Sequence, residues 1–236
     1  MTEPQPAATD PSSETIVPLG DSTVLIILGS GVDPRLAARA QSIAAAIALR
    51  RIETPAIGRA VPAHASVLVP FDPLALDLDA IIGFARDAIT ASAAGADPAA
   101  DEDPAMFVEV PVRYGGPDGP DLDEVADRLG LFPADIVELH AGVLHRVLFL
   151  GFAPGFAYLD GLPTALTLPR RATPRERVPA GSVAIAGEQT GIYPRSMPGG
   201  WHLIGRTDAT LFDPTRPEPA VLTPGAFVRF VPAPDR

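Results

Sequence analysis

Lysine, cysteine and asparagine are absent from this 236-residue chain, and all 18 of its basic residues are arginine. Without lysine the chain offers no Schiff base, no phosphate-loop lysine and no biotin attachment point. Without cysteine it offers no thiol nucleophile, disulfide or thiolate-bound zinc. The longest strictly apolar runs, such as Val24 to Leu28, are far too short to cross a bilayer. The opening MTEPQPAATDPSSET is acidic and proline-rich, without the basic and apolar regions of a secretory signal. Residues 1–15 are therefore expected to be a disordered tail, and the protein cytoplasmic.

What is present is a chain that is 47% hydrophobic, enough for one large core or two small ones. The net charge of -11 is unevenly spread: residues 1–150 hold 22 acidic residues against 9 arginines, residues 151–236 hold 7 against 9. The acidic half should repel nucleic acid, and an anion would settle in the C-terminal half.

Val24 to Leu28 reads as a strand. Asp33 and Pro34 then supply an N-cap and first helical residue for LAARAQSIAAAIALR, which is apolar at helical spacing. A second strand at Ser66 to Pro70 precedes a helix over Ala80 to Ala91, and Ile52 to Ala63 reads as a further strand weakened by Pro55 and Pro62. Alternating β and α units predict a small α/β domain over 16–93. Residues 94–105, including ADPAADEDP, read as a linker. The second domain, 106–236, is expected to open on a strand at Met106 to Tyr114, continue through short helices at Asp121 to Leu129 and Pro133 to His140, and then run as strands and turns. Together these predict an α+β protein.

Three motifs imitate known sites. VLIILGSGVDPRLAARA has the order of a dinucleotide fingerprint but lacks its third glycine, so it reads as a tight strand-to-helix turn. DEVADRLGLFPADIVELH imitates a helix-turn-helix, but its second helix carries Asp135 and Glu138 and no arginine. His140 and His145 lie five apart across Gly142, which does not place them on one helix face as metal ligands.

The stretch from Gly151 to Pro214 is the most informative: GFAPGFAYLDGLP, then PRRATPRERVPAGSVAIAGEQTGIYP, then PGGWHLIGRTDATLFDP. Its glycines allow tight turns and close backbone approach between short strands. Arg170, Arg171, Arg175 and Arg177 fall within eight positions, and guanidinium forks bind carboxylate or phosphate through paired donors. They are candidates for one anion-binding cluster. Gln189 and Thr190, after an apolar strand, are candidates to present amide and hydroxyl groups, with Tyr193 and Arg206 completing a pocket wall. His202 is the histidine best placed to line it. Ser182 lacks a nucleophile-elbow context and an activating lysine.

These segments, with YGGPDGPDLDEVADRLGL, LHAGVLHRVLFLGF and, more weakly, Ile16 to Ile26 and Ser66 to Asp77, resemble a family that includes the B-type subunit of 5-oxoprolinase, kinase A inhibitor and allophanate hydrolase subunit 1. Members usually carry a second glycine where this chain has Glu188. The resemblance implies a ferredoxin-like N-terminal domain and a cyclophilin-like β-barrel after it. It also implies one component of an ATP-dependent 5-oxoprolinase, which opens the lactam of 5-oxoproline to glutamate with a homologous C-type subunit (allophanate hydrolase subunit 2 type) and a separate A-type subunit. ATP would be a co-substrate, with Mg held through the nucleotide, and the active site would be shared across a hetero-oligomer. Two other readings stay open at this point: a regulator docking on a sensor histidine kinase, and a carboxyltransferase-like or allophanate hydrolase component of urea metabolism whose biotin arrives on another protein.

Overall fold

A computed structural model describes residues 14–93 and 107–234, in two compact units within residues 1–100 and 101–236. The expected linker and residues 1–13 of the expected tail lie outside the described residues. The last residue of that tail, Thr15, already pairs in a sheet.

In the first unit β1 (Thr15–Pro18) and β2 (Thr23–Ile27) precede α1 (Pro34–Glu53), and β3 (Val61–Pro62) and β4 (Ser66–Pro70) precede α2 (Leu78–Ala93). All pairings are antiparallel, in the order β1-β2-β4-β3. Alternation decides which face is covered: Val24, Ile26, Val67 and Val69 are fully buried among Ala40, Ile43 and Ile47 of α1 and Ile81 and Ala85 of α2. Asp33 caps α1 by accepting from the Arg35 N–H at 2.8 Å, and Pro34 occupies the first turn, where no N–H is needed. The helix runs to Glu53 and stops at Thr54 before Pro55. That extension consumes the start of the strand expected from Ile52, leaving a two-residue strand at Val61 and Pro62 and an isolated bridge from Ile57 to Phe71.

The second unit is built on a closed barrel. Its elements are β5 (Phe107–Tyr114), α3 (Leu122–Leu129), α4 (Pro133–Ala141), β6 (His145–Leu150), β7 (Ala157–Asp160), β8 (Arg175–Val178), β9 (Ser182–Ala186), β10 (Gln189–Ile192), β11 (Met197–Gly199), β12 (His202–Arg206) and β13 (Phe227–Pro232). Seven strands close in the order β10-β7-β6-β13-β5-β12-β9, which leaves no open edge. The one parallel pair in the barrel, β13 on β5, registers Phe227 with Phe107 and Pro232 with Val112. Gly130 ends α3 in the left-handed conformation at φ 69°, a backbone state that glycine adopts without a Cβ penalty.

Strand alternation gives this barrel two apolar faces. Ala157, Leu159, Val183, Ile185 and Ile204 join the main core with Val125 of α3 and Ile136 of α4. Their neighbours Tyr158, Ala184, Ala186 and Leu203 face a second cluster with Phe156, Val178, Tyr193 and Trp201. The separate two-stranded sheet of β8 and β11 supplies Val178 and Met197 to that cluster, so it lies over the opposite face of the same strands. No helix among the described residues is long and apolar enough to cross a membrane.

Candidate functional site

The loop before β7 turns its aromatic side chains toward that second cluster. Phe152 holds φ 63°, the only positive φ among described non-glycine residues, and the residue is 61% exposed. Short bonds brace the loop, Ala153 N–H to Gly151 O at 2.7 Å and Phe156 N–H to Ala153 O at 3.0 Å. Phe156 stands edge-on to Tyr158, Tyr193 and Trp201, with ring centroids 4.9, 5.3 and 5.7 Å away. Such edge-to-face contacts each add about 0.5–1.5 kcal/mol beyond burial.

These rings line a pocket of about 260 Å³ together with Phe152, Pro198, Gly199 and Gly200. Arg170 and Pro174 complete it. Arg170 is exposed and, among the described residues, makes no ion pair or hydrogen bond. Burial pushes the Tyr158 phenol above its ordinary pKa, and the Arg170 charge pulls against that shift. Burial likewise raises Tyr193, whose hydroxyl accepts from the Trp201 backbone N–H. Both phenols are therefore neutral at physiological pH, and Arg170 is the only full charge on the pocket wall. A Cβ at Gly199 would overlap the Tyr193 hydroxyl. Gly199→Ala is expected to cost roughly 1–3 kcal/mol through displaced Tyr193, visible as a lower Tm together with a shifted Trp201 emission.

Beside the pocket, Asp121 at the start of α3 is 2% exposed and gathers a set of donors. Arg175 grips both its carboxylate oxygens, at 2.6 and 2.8 Å. Arg171 donates to Asp121 Oδ1 at 3.1 Å and to Glu124 at 3.4 Å, and the Leu203 N–H donates at 2.7 Å. Burial pushes the Asp121 carboxyl up, but these hydrogen bonds and the two guanidinium charges outweigh it and hold the pKa below the ordinary carboxylate value. One carboxylate thus ties β8, β12 and α3 together.

A third polar group runs through the barrel core. Tyr114 Oη lies 2.8 Å from His140 Nδ1, His140 Nε2 lies 2.8 Å from Thr190 Oγ1, and Thr190 Oγ1 lies 3.1 Å from Ala184 O. A carbonyl only accepts, so Thr190 donates to Ala184 and accepts from His140 Nε2–H. His140 Nδ1 then accepts from the Tyr114 hydroxyl, and the histidine is neutral. His145 Nε2 donates to the His140 carbonyl at 2.9 Å.

Comparison with known proteins places the chain in a family. The model described as "Carboxyltransferase domain, subdomain C and D" matches residues 14–222. The chain belongs to this family. It is similar to the B-type subunit of 5-oxoprolinase from Escherichia coli O157:H7, 44% identical over 215 residues that cover 91% of this chain and 94% of that relative. Among solved structures it is similar to TTHA0988, with 40% identity and a TM-score of 0.74 over 91% of this chain. The chain spans 40% of the TTHA0988 chain, less than half its length. It is also similar to the conserved uncharacterized protein PH0987 of Pyrococcus horikoshii, 38% identical with a TM-score of 0.54, over 94% of this chain and 98% of that one.

In this carboxyltransferase-domain chain the residues singled out from sequence separate into distinct places. Arg170 and Tyr193 line the aromatic pocket. The four arginines do not form a single cradle, because Asp121 takes the fork of Arg175 and one Nη of Arg171. Arg177 is exposed and donates from Nε to Ser196 Oγ at 3.1 Å, and Arg206 Nε donates to Ala180 O at 3.0 Å. Gln189 opens β10 half-buried, with Nε2 unpartnered, on the same strand face as Gly191, which packs against Trp201 and Phe156. Thr190 is not presented to a pocket. Strand alternation turns it inward, fully buried against His140. His202 is buried as well, its Nε2 donating to Pro169 O at 2.9 Å and its Nδ1 without a partner. Sequence reasoning missed Phe156, Tyr158 and Trp201 as pocket walls, although Phe156 and Tyr158 stand at the period-two spacing that puts both on one strand face. It also missed Asp121, whose partners are 50 or more residues away and leave no local signal.

Proposed function

We propose that this protein is the B-type subunit of an ATP-dependent 5-oxoprolinase, which opens 5-oxo-L-proline to L-glutamate with a homologous C-type subunit and a separate A-type subunit. The single observation that carries this reading is the 44% identity maintained along 94% of the E. coli relative. The geometry agrees with a partial active site. Its open pocket, at about 260 Å³, is smaller than the roughly 300–1,000 Å³ of pockets for drug-sized ligands. Three further supports concern ATP, Mg and the fold. Arg171 and Arg175 are engaged by Asp121 and the chain has no lysine, which favours a reading in which a partner contributes contacts to the nucleotide phosphates and their Mg. The β1-β2-β4-β3 order with its ββαββα sequence supports a permuted ferredoxin-like reading of the N-terminal unit. The closed barrel supports a cyclophilin-like reading of the second.

Co-expression of the chain with its C-type and A-type partners tests the assignment. The purified set is expected to release glutamate from 5-oxo-L-proline only with ATP present, and to lose that activity when this chain is omitted. Undiminished turnover without the chain would remove it from the enzyme.

A further inference from the structure

We infer that the aromatic pocket is a recognition site for a small cyclic amide carrying one carboxylate, with Arg170 as the carboxylate anchor and the rings of Tyr158, Tyr193 and Trp201 as walls for the flat heterocycle. The inference deepens the function proposed above and rests on it for the identity of the ring.

Charge bookkeeping around the pocket supports one anionic group. Four arginines lie close in sequence: Asp121 pairs with Arg171 and Arg175, and exposed Arg177 donates to Ser196 outside the pocket lining. Arg170 is left exposed and unpaired among the described residues, its charge acting on the Tyr158 phenol in the same pocket. A guanidinium fork matches a carboxylate through two parallel donors. A triphosphate would bring several negative charges to a wall with one full positive charge, whereas a monocarboxylate is matched by it. The Tyr158 hydroxyl also has no hydrogen-bond partner among the described residues, which supplies a neutral donor and acceptor beside the cation.

Size and wall chemistry narrow the ligand further. The pocket of about 260 Å³ admits a small ring and little more. Phe156, Tyr158 and Trp201 are held at fixed edge-on angles, with Tyr158 and Trp201 centroids 5.8 Å apart. Rigid aromatic faces of this kind receive a flat amide ring without reorganisation, and the absence of other full charges on the wall leaves the lactam amide to hydrogen bonds.

Trp201 is the only tryptophan of the chain and lies in the pocket wall, so its emission reports occupancy directly. The purified full chain is titrated with 5-oxo-L-proline, with 2-pyrrolidinone, which keeps the lactam and lacks the carboxylate, and with ATP. Expected is a saturable change with 5-oxo-L-proline, binding of 2-pyrrolidinone weaker by about 10–100-fold, the value of one charge-assisted pairing, and no competition by ATP. In Arg170→Met that preference disappears. Tyr158→Phe, which keeps the ring, weakens 5-oxo-L-proline by a few-fold and provides a second readout. Equal affinity of both lactams in the wild-type chain, or an Arg170→Met chain that still prefers the carboxylate, overturns the inference. The two readings fail separately: an active three-component enzyme with such a result loses the pocket and keeps the function. A carboxylate-selective pocket in an inactive assembly keeps the pocket and loses the function.

Discussion

Replacing Asp121 by alanine is expected to destabilise the barrel unit by about 3–5 kcal/mol, the range for breaking a buried ion pair by removing one partner. The substitution leaves the guanidinium groups of Arg171 and Arg175, each about 25% exposed, facing one another without their shared counter-charge. It also strips the Leu203 N–H of its acceptor inside the sheet. Against a typical total of about 5–15 kcal/mol, a loss of this size is a large fraction of the fold's stability. Chemical denaturation monitored by Trp201 emission measures it directly, because Trp201 lies next to β12. A loss below about 1 kcal/mol would mean that the clamp is no stronger than an exposed surface pair. The pH dependence has a definite sign. The folded-state pKa of Asp121 is held below its unfolded value, so its contribution is complete above about 3.9 and is lost as pH falls through the lower folded value. The alanine variant should lack that part of the acid limb.

The second large effect is the loss of stability as the histidine network is acidified. Burial, followed by the repulsion His145 would exert if protonated, lowers His140 well below the ordinary histidine pKa, and burial lowers His145 against the pull of the His140 and Asp160 carbonyls. A histidine kept neutral in the folded state binds its proton first in the unfolded chain. Its stabilisation is therefore present above about 6.5 and is lost as pH falls toward the folded value. His140 adds a slope of roughly 1.4 kcal/mol per pH unit across that window. The geometry gives the same sign, because the tautomer fixed by Tyr114 and Thr190 leaves His140 Nδ1 as an acceptor with no room for a second proton. His140→Gln can keep an acceptor toward Tyr114 and a donor toward Thr190. It is expected to cost about 1–3 kcal/mol at pH 8 and to remove one proton's share of the slope below pH 6.5. Urea unfolding at a series of pH values reads both quantities, and an unchanged slope in the variant would show that His140 is not the titrating group.

Much of the fold is legible in local pattern. Ser66 to Pro70 alternates as a β-branched run and forms β4 over the same residues, and Asp33-Pro34 opens α1 as its capping chemistry requires. The expected strand from Ile52 fails because helical continuity through Glu53 wins until Pro55 intervenes. The candidate site was legible only in part, for a physical reason in each case. The density of arginine between 170 and 177 is visible in the chain, but which of them stays unpaired depends on Asp121, brought in from 50 or more residues away. His140 and His145 fail every helix-face rule because α4 ends between them and β6 doubles back, yet the fold sets their rings 5.0 Å apart. Thr190 was expected at a polar strand end, and the inward phase of β10 was decided by barrel closure, which no local pattern encodes.

The most direct measurement is the concentration dependence of glutamate release by the three-component enzyme carrying Arg170→Met in this chain. Loss of one charge-assisted carboxylate contact should raise the KM for 5-oxo-L-proline by about 10–100-fold, with kcat changed far less and the KM for ATP unchanged. An unchanged KM for 5-oxo-L-proline, or a rise in the KM for ATP instead, would contradict the assignment of this pocket to the substrate ring.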